Sequence, residues 1–219
     1  MKLYYSHRSP YVRLVMVAIH WTKLASRIEL MNTVVSIYSP VPGLMKDNPL
    51  TKIPTLVLDD GSTLYDSRVI CEYLDGLHEG QRLFPSEGRD RMEALRRLAL
   101  GHGLIDLLLI WLTERNRPGA LQTEEFVSAL REKYRATVAA MNTEVADLRV
   151  APFTIGHAAI GTALSYSDFR FPDVDWRREN PDLAKWHSEF VKIPAVAADP
   201  FFDDLAAAKA KEAQAARPA

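Results

Sequence analysis

The sequence predicts a mixed α/β domain followed by an all-helical domain. Three observations carry that reading. Up to about residue 77, short strand-like runs alternate with helical patterns. Beyond about residue 86 the strand signals vanish and long helical patterns take over. Between the two lies "HEGQRLFPSEG" (78–88), with the Gly and Pro content of a connection. The expected division is a first domain over 1–77, a linker over 78–85, a helical domain over 86–205 and a frayed or disordered tail over 206–219.

The first element is "KLYYS", a strand-like run. "PYVRLVMVAIHWTKL" follows it with apolar residues at 12, 15, 16 and 19, one face of a helix. "RIELMN" alternates around Ile28 and Leu30, which makes the opening β-α-β and implies a parallel pair with a right-handed crossover. After the irregular, Pro- and Ser-rich "TVVSIYSPVPGLMKDNP", the runs "TLVL" and "STLY" flank "DDG" and predict an antiparallel hairpin. A helix from about Ser67 is expected to turn Val69, Ile70, Tyr73, Leu74 and Leu77 inward. In the second half, Phe126, Leu130, Tyr134, Val138, Met141, Val145 and Leu148 form one apolar stripe over six turns. Shorter helices fit 154–167 and 181–192, the latter with Asn180 as N-cap before Pro181.

Composition narrows the function. A hydrophobic fraction of 47% over 219 residues supports a real core, and a net charge of −1 offers no global field for nucleic acid or an anionic membrane. The longest apolar stretch, "GLIDLLLIWL" (103–112), is interrupted by Asp106 and too short to span a bilayer. A single cysteine, Cys71, precludes an internal disulfide and fits a reducing, cytoplasmic setting; it is expected as a buried apolar residue. The six histidines show no metal-ligand spacing, so no metal site is expected. "RDRMEALRR" (89–97) reads as a solvated helix face rather than a nucleic-acid patch.

Three junctions carry the chemistry. Pro10 suits the first position of a helix, which makes Ser9 its N-cap; capping alone would account for that serine. In "KIPTL" (52–56), Pro54 opens a strand without a donor of its own. A cis bond there would leave the N–H and C=O of Ile53 free to pair with an extended peptide. In "YDSRVICEYL" (65–74), Asp66 and Ser67 stand at a helix start, where free amides favour a carboxylate; simple capping is the alternative.

Taken together, strand, "SP" plus helix, "NPLTKIPTLVLDDGSTLYDSRVICEYLD" (48–75) and an all-α second half resemble a cytosolic glutathione S-transferase of bacterial type, with a serine at the start of the first helix. The resemblance extends to about residue 200. It implies a thioredoxin-like first domain, a helical second one, glutathione as co-substrate, a small electrophile as second substrate and a homodimer, with no nucleic-acid or membrane partner. It further implies that Ser9 hydrogen-bonds the glutathione sulfur, with Ser6 as a secondary candidate. Ile53 would pair with the tripeptide backbone before a cis Pro54. Asp66 and Ser67 would receive the γ-glutamyl end, and Lys52 would face the glycine carboxylate. Related glutaredoxin-like proteins carry Cys-Pro-Tyr-Cys where this chain has "SPYV", so neither Ser9 nor Val12 can form a mixed disulfide. A serine suits non-covalent activation: moving a thiol from near 8.5 to mostly ionised at neutral pH takes about a hundredfold change, roughly 2.7 kcal/mol. Expected activities are transfer of glutathione to an electrophilic carbon, or alternatively peroxide or disulfide reduction with glutathione, or an interaction module with little catalysis.

The chain departs from that family's pattern in two places. Thr51 stands where Gly is frequent, and "TIGH" (154–157) offers His157 where a helix-capping box usually has Asp, a poorer return acceptor by expectation. Tyr11, His102 and Trp111 are candidate walls of an electrophile pocket, and His7 and Arg8 border the proposed site.

Overall fold

The computed structural model describes residues 1–36 and 39–203; the tail expected over 206–219 lies outside the described residues. The first half contains β1 (Lys2–Tyr5), α1 (Pro10–Trp21), β2 (Glu29–Asn32), α2 (Pro42–Met45), β3 (Thr55–Val57), β4 (Thr63–Leu64) and α3 (Ser67–Asp75). The short α2 lies inside the segment that looked wholly irregular, started by Pro42 at its first turn. The sheet order is β2-β1-β3-β4. Leu3 of β1 sits opposite Leu30 in the parallel pair and opposite Leu56 in the antiparallel one, and Leu56 in turn faces Leu64. Gly61, at φ +84, supplies the left-handed residue that the β3–β4 turn needs.

The second half is helical: α4 (Gly88–Arg115), α5 (Glu124–Thr143), α6 (Val145–Val150), α7 (Ile155–Arg170), α8 (Trp176–Glu179), α9 (Pro181–Phe190) and α10 (Pro194–Ala197). A thioredoxin-like sheet domain followed by a helical domain is the arrangement that the resemblance implies. Helices α4 and α7 form its centre and approach closely through small residues. A Cβ on Gly101 would lie 2.5 Å from the carbonyl carbon of Ala159, and one on Gly156 would lie 2.6 Å from Cβ of Arg97. Among the described residues no helix is long and apolar enough to cross a membrane.

One amphipathic face was expected for α1, yet every residue from Val12 to Ile19 is buried. The cause is a second neighbour: α1 packs on α3 and also touches α7 and α10. Arg13 is caught in this layer, donating through Nη2 to the carbonyl of Val196. The halves are further tied by Trp21, which stacks on Phe153 at 4.6 Å and donates to the carbonyl of Gln81. The connection itself is clasped by Asp75. Its buried carboxylate accepts from the amides of Leu83 (2.7 Å) and Phe84 (3.0 Å), and His78 lies 3.1 Å away.

Several helix faces depart from expectation. Val69 is 47% exposed on α3, whereas Ile70, Cys71 and Leu74 turn inward. Phe126 points outward while Val127 is buried, and the apolar stripe is shared by two helices that break at Glu144. Arg97, read as part of a solvated face, is buried because Glu144, 47 residues on, lies 3.0 Å from its Nε. Asn180 precedes α9 but makes no side-chain cap; its side-chain Nδ2 donates instead to the carbonyl of Trp176. His157 closes the capping box after all. Its Nδ1 accepts from the amide of Thr154 at 3.0 Å, while Nε2 lies 3.1 Å from the carbonyl of Leu148. Burial holds this imidazole neutral, with its pKa down at about 4, and a neutral ring offers the acceptor the box requires.

Candidate functional site

The turn after β1 sets the site. Ser9 has extended backbone (φ −83, ψ 122), its amide donates to the carbonyl of Ser6 at 3.1 Å, and its hydroxyl accepts from the amide of Val12 at 3.3 Å. An accepting cap leaves the hydroxyl proton uncommitted. No acidic residue lies in the first turn of α1, so the positive end of that helix is uncompensated by its own side chains. Ser6 is buried, and its Oγ lies 3.4 Å from the amide of Arg8.

Both serines line a cavity of about 790 Å³ between the two halves. The 50–53 loop forms one wall, with Lys52 and Ile53, and the N-terminus of α1 another. Leu109 and Leu112 of α4 and Tyr166 and Arg170 of α7 close it from the helical side. The structure therefore brings Ser9, Ser6, Lys52 and Ile53 to one cavity.

Around Ile53 the chain is shaped by residues the sequence reading did not single out. The Ile53–Pro54 bond is cis. The carbonyl of Lys52 accepts from Thr55 Oγ1 (2.8 Å) and Asn48 Nδ2 (3.2 Å), both from side chains buried under the loop. Neither the N–H nor the C=O of Ile53 has a hydrogen-bond partner among the described residues, so both remain open to an extended peptide. Thr51 adopts φ +49, a left-handed conformation costly for a β-branched residue, which explains why glycine suits this position. "NPLT" held the clue: an Asn before Pro at the mouth of a turn is a frequent anchor for a loop.

Asp66 and Ser67 stand at the start of α3, outside the set of residues that line the cavity. Asp66 caps the helix, accepting from the amide of Arg68 at 3.0 Å, and pairs with its guanidinium at 2.9 Å. Burial opposes ionisation of this carboxyl, but the hydrogen bonds from Arg68 prevail and hold it below its ordinary range. The Ser67 hydroxyl is fully buried, 2.9 Å from Nε2 of His102 on α4. His102 is thus a partner of Ser67 rather than a wall of the cavity, and burial pushes its pKa down. Tyr11 does line the cavity, with its hydroxyl bonded to Asp106 of α4. Burial and that carboxylate both push the Tyr11 phenol up, so it stays protonated.

Trp111 lines a different cavity, of about 560 Å³, set among helices with Arg115, Tyr134 and Trp176 and without any residue of the sheet domain. Cys71 is buried on α3, and burial raises its thiol pKa well above the ordinary range, so it contributes no reactive sulfur. Among the described residues no group of three His, Cys, Asp or Glu could hold a metal ion.

Comparison with known proteins places this geometry. A family model of the glutathione S-transferase N-terminal domain matches residues 3–82. The uncharacterized GST-like protein YibF of Escherichia coli K12 is 28% identical over 187 residues, covering 84% of this chain and 91% of that protein. A glutathione transferase family member from Pseudomonas fluorescens Pf-5, solved with bound glutathione, is 38% identical with a TM-score of 0.89, covering 92% of this chain and 99% of its own. A glutathione S-transferase from Methylobacillus flagellatus KT, also with glutathione bound, is 30% identical with a TM-score of 0.81, covering 92% of this chain and 99% of its own. On this similarity, sustained over almost the whole length, the chain belongs to the glutathione transferase family.

Proposed function

We propose that this protein binds glutathione and transfers it to a small electrophilic carbon compound, with Ser9 holding the sulfur as thiolate. The observation that carries the reading is the Ser9 hydroxyl. It accepts its cap bond from Val12, keeps its own proton to donate, and faces a cavity large enough for a tripeptide and a second molecule. Glutathione supplies the thiol nucleophile. Ser9 donates to the sulfur, and the end of α1 adds its field; together they favour the ionised form. Ile53 pairs through its free N–H and C=O with the cysteinyl backbone, and Pro54 holds that stretch in place. Lys52, exposed at the rim, meets the glycine carboxylate. Asp66 and the amide of Ser67 take the γ-glutamyl end, the Ser67 hydroxyl being turned toward His102. Leu109 and Leu112 supply the apolar wall for the electrophile and exclude water from the sulfur.

The proposal extends to the setting. A sheet domain over 1–77 and a helical domain over 86–205 form one working unit, in a cytoplasmic homodimer. Support for the dimer is the exposed apolar set Tyr65, Val69 and Met92, on or beside two helices that the Arg91–Glu72 pair joins. Sedimentation should return the mass of two chains; a monomer at micromolar concentration removes this part.

Calorimetry with glutathione, combined with ultraviolet absorbance of the thiolate across pH, tests the chemistry. Wild type should bind with a lowered thiol pKa. Ser9→Ala should return the thiol toward about 8.5 and lower kcat/KM by at least about tenfold. An unshifted thiol in wild type, or one that Ser9→Ala leaves unchanged, would take the role from Ser9 and move the search to Ser6. Absence of binding at millimolar glutathione would sink the enzyme reading.

A further inference from the structure

The cavity carries more positive charge than the proposed glutathione contacts use. Its lining includes Arg8, Lys52 and Arg170 and no aspartate or glutamate. Lys52 is assigned to the glycine carboxylate above, and Arg8 borders the serines that face the sulfur. Arg170 is different, because it reaches the cavity from α7 on the helical side, next to the apolar wall of Leu109 and Leu112. Tyr166 and Arg170 are four residues apart on one helix, so their side chains share a face.

The Arg170 side chain is also built in. Its guanidinium stacks over Phe169 at 4.1 Å, and one terminal nitrogen is 2.6 Å from the carboxylate of Asp203. Its Nε is buried without a hydrogen-bond partner among the described residues. Tyr166 is 2% exposed, and burial raises its phenol pKa while the charges of Arg170 and Arg8 act against that rise. Both arginines therefore act on one hydroxyl close to the apolar wall of Leu109 and Leu112. Asp203 answers one terminal nitrogen of Arg170, and an anion with an apolar body would add a second acceptor beside the apolar wall.

We propose that the second substrate is an electrophile with an apolar, ring-sized body bearing a carboxylate, which Arg170 holds with help from Arg8 and the Tyr166 hydroxyl. This rests on the transferase reading above. For an aryl chloride of this class, such as 4-chloro-3-nitrobenzoate, the thiolate sulfur forms a bond to the ring carbon as the carbon–chlorine bond breaks. Chloride leaves with the bonding pair, and the thiol proton passes to solvent. The carboxylate is unchanged and serves only as a handle.

Calorimetry with two preformed conjugates tests the inference without depending on turnover. S-(4-carboxy-2-nitrophenyl)glutathione and its carboxamide, S-(4-carbamoyl-2-nitrophenyl)glutathione, are alike in shape and differ in one negative charge. Wild type should bind the carboxylate about tenfold tighter or more, as expected of a charge-assisted contact at a partly buried guanidinium. Arg170→Gln should bring the two affinities within about twofold. Asp203→Asn, which releases the arginine from its carboxylate neighbour, should widen the preference and serves where Arg170→Gln fails to fold. Equal affinity of wild type for both conjugates overturns the inference and leaves the transferase reading intact. So does binding of glutathione with neither conjugate, or an equal loss of both conjugates in Arg170→Gln. Absence of binding by glutathione and both conjugates overturns the two together.

Discussion

The two sides of the cavity present different kinds of group. On the sheet side, the groups proposed to hold glutathione are mostly main-chain or cap groups, namely the Ser9 hydroxyl at a helix start, the free N–H and C=O of Ile53 and, beyond the cavity lining, the amide of Ser67, with the Lys52 side chain as the exception. On the helical side they are side chains alone, Leu109, Leu112, Tyr166 and Arg170. Backbone groups are set by strand ends, a cis bond and caps, which any sequence with those turn residues reproduces. Side-chain walls can be exchanged one residue at a time without disturbing the fold. On the proposed reading, the sheet side suits a constant co-substrate and the helical side a variable one.

The halves also differ in how they meet acid, and this gives the largest expected effect. His157 and His187, both in the helical half, are held neutral by burial with pKa values of about 4. The unfolded chain takes up these protons near 6.5, the folded one only near 4. Their stabilisation is therefore complete above about 6.5 and is lost as pH falls toward 4, roughly 3 kcal/mol for His157. Urea unfolding at pH 7.5 and 4.5 should show the drop, and His157→Gln, which keeps an acceptor for Thr154, should flatten it. A pH-independent midpoint over that range would separate these histidines from stability. Next in size is Gly101→Ala, whose new methyl would meet the backbone of Ala159 at 2.5 Å and should cost about 3 kcal/mol in thermal or urea unfolding. A loss under 1 kcal/mol would mean that α4 and α7 can move apart freely. The smallest effect lies on the sheet side: Thr51→Gly relieves a left-handed β-branched residue and should raise stability by about 1 kcal/mol, glycine's own flexibility offsetting part of the gain. If the melting point falls instead, the threonine side chain matters more than its backbone.

Much of the sheet side was legible because its signals are local. Pro10 after Ser9, Pro54 after Ile53 and "DDG" between two apolar runs each specify backbone within a few residues. Departures arose where a second neighbour comes from far along the chain. Arg97 is buried by Glu144, Ser67 is turned by His102 and α1 is covered on its second side by α7 and α10. In the stripe that begins on α5 only the first position differs, Val127 being buried instead of Phe126, since both fit an apolar stripe and only packing selects between them. The capping box shows the reverse: a residue type that looked weaker, His157, still accepts the return bond from the amide of Thr154 because burial keeps it neutral.

The Asp75 clasp bears on how the chain would be cut. "HEGQRLFPSEG" has the composition of a segment that proteases find first, rich in Gly, Pro and charge. Yet two amides on its far side, those of Leu83 and Phe84, are bound to a carboxylate at the end of α3, and the chain between is drawn into a closed loop. A protease needs extended, accessible chain to seat a substrate, and here the segment it would pull is anchored at both ends. The join between the halves is therefore a rivet, and separating them requires unfolding the end of α3 first.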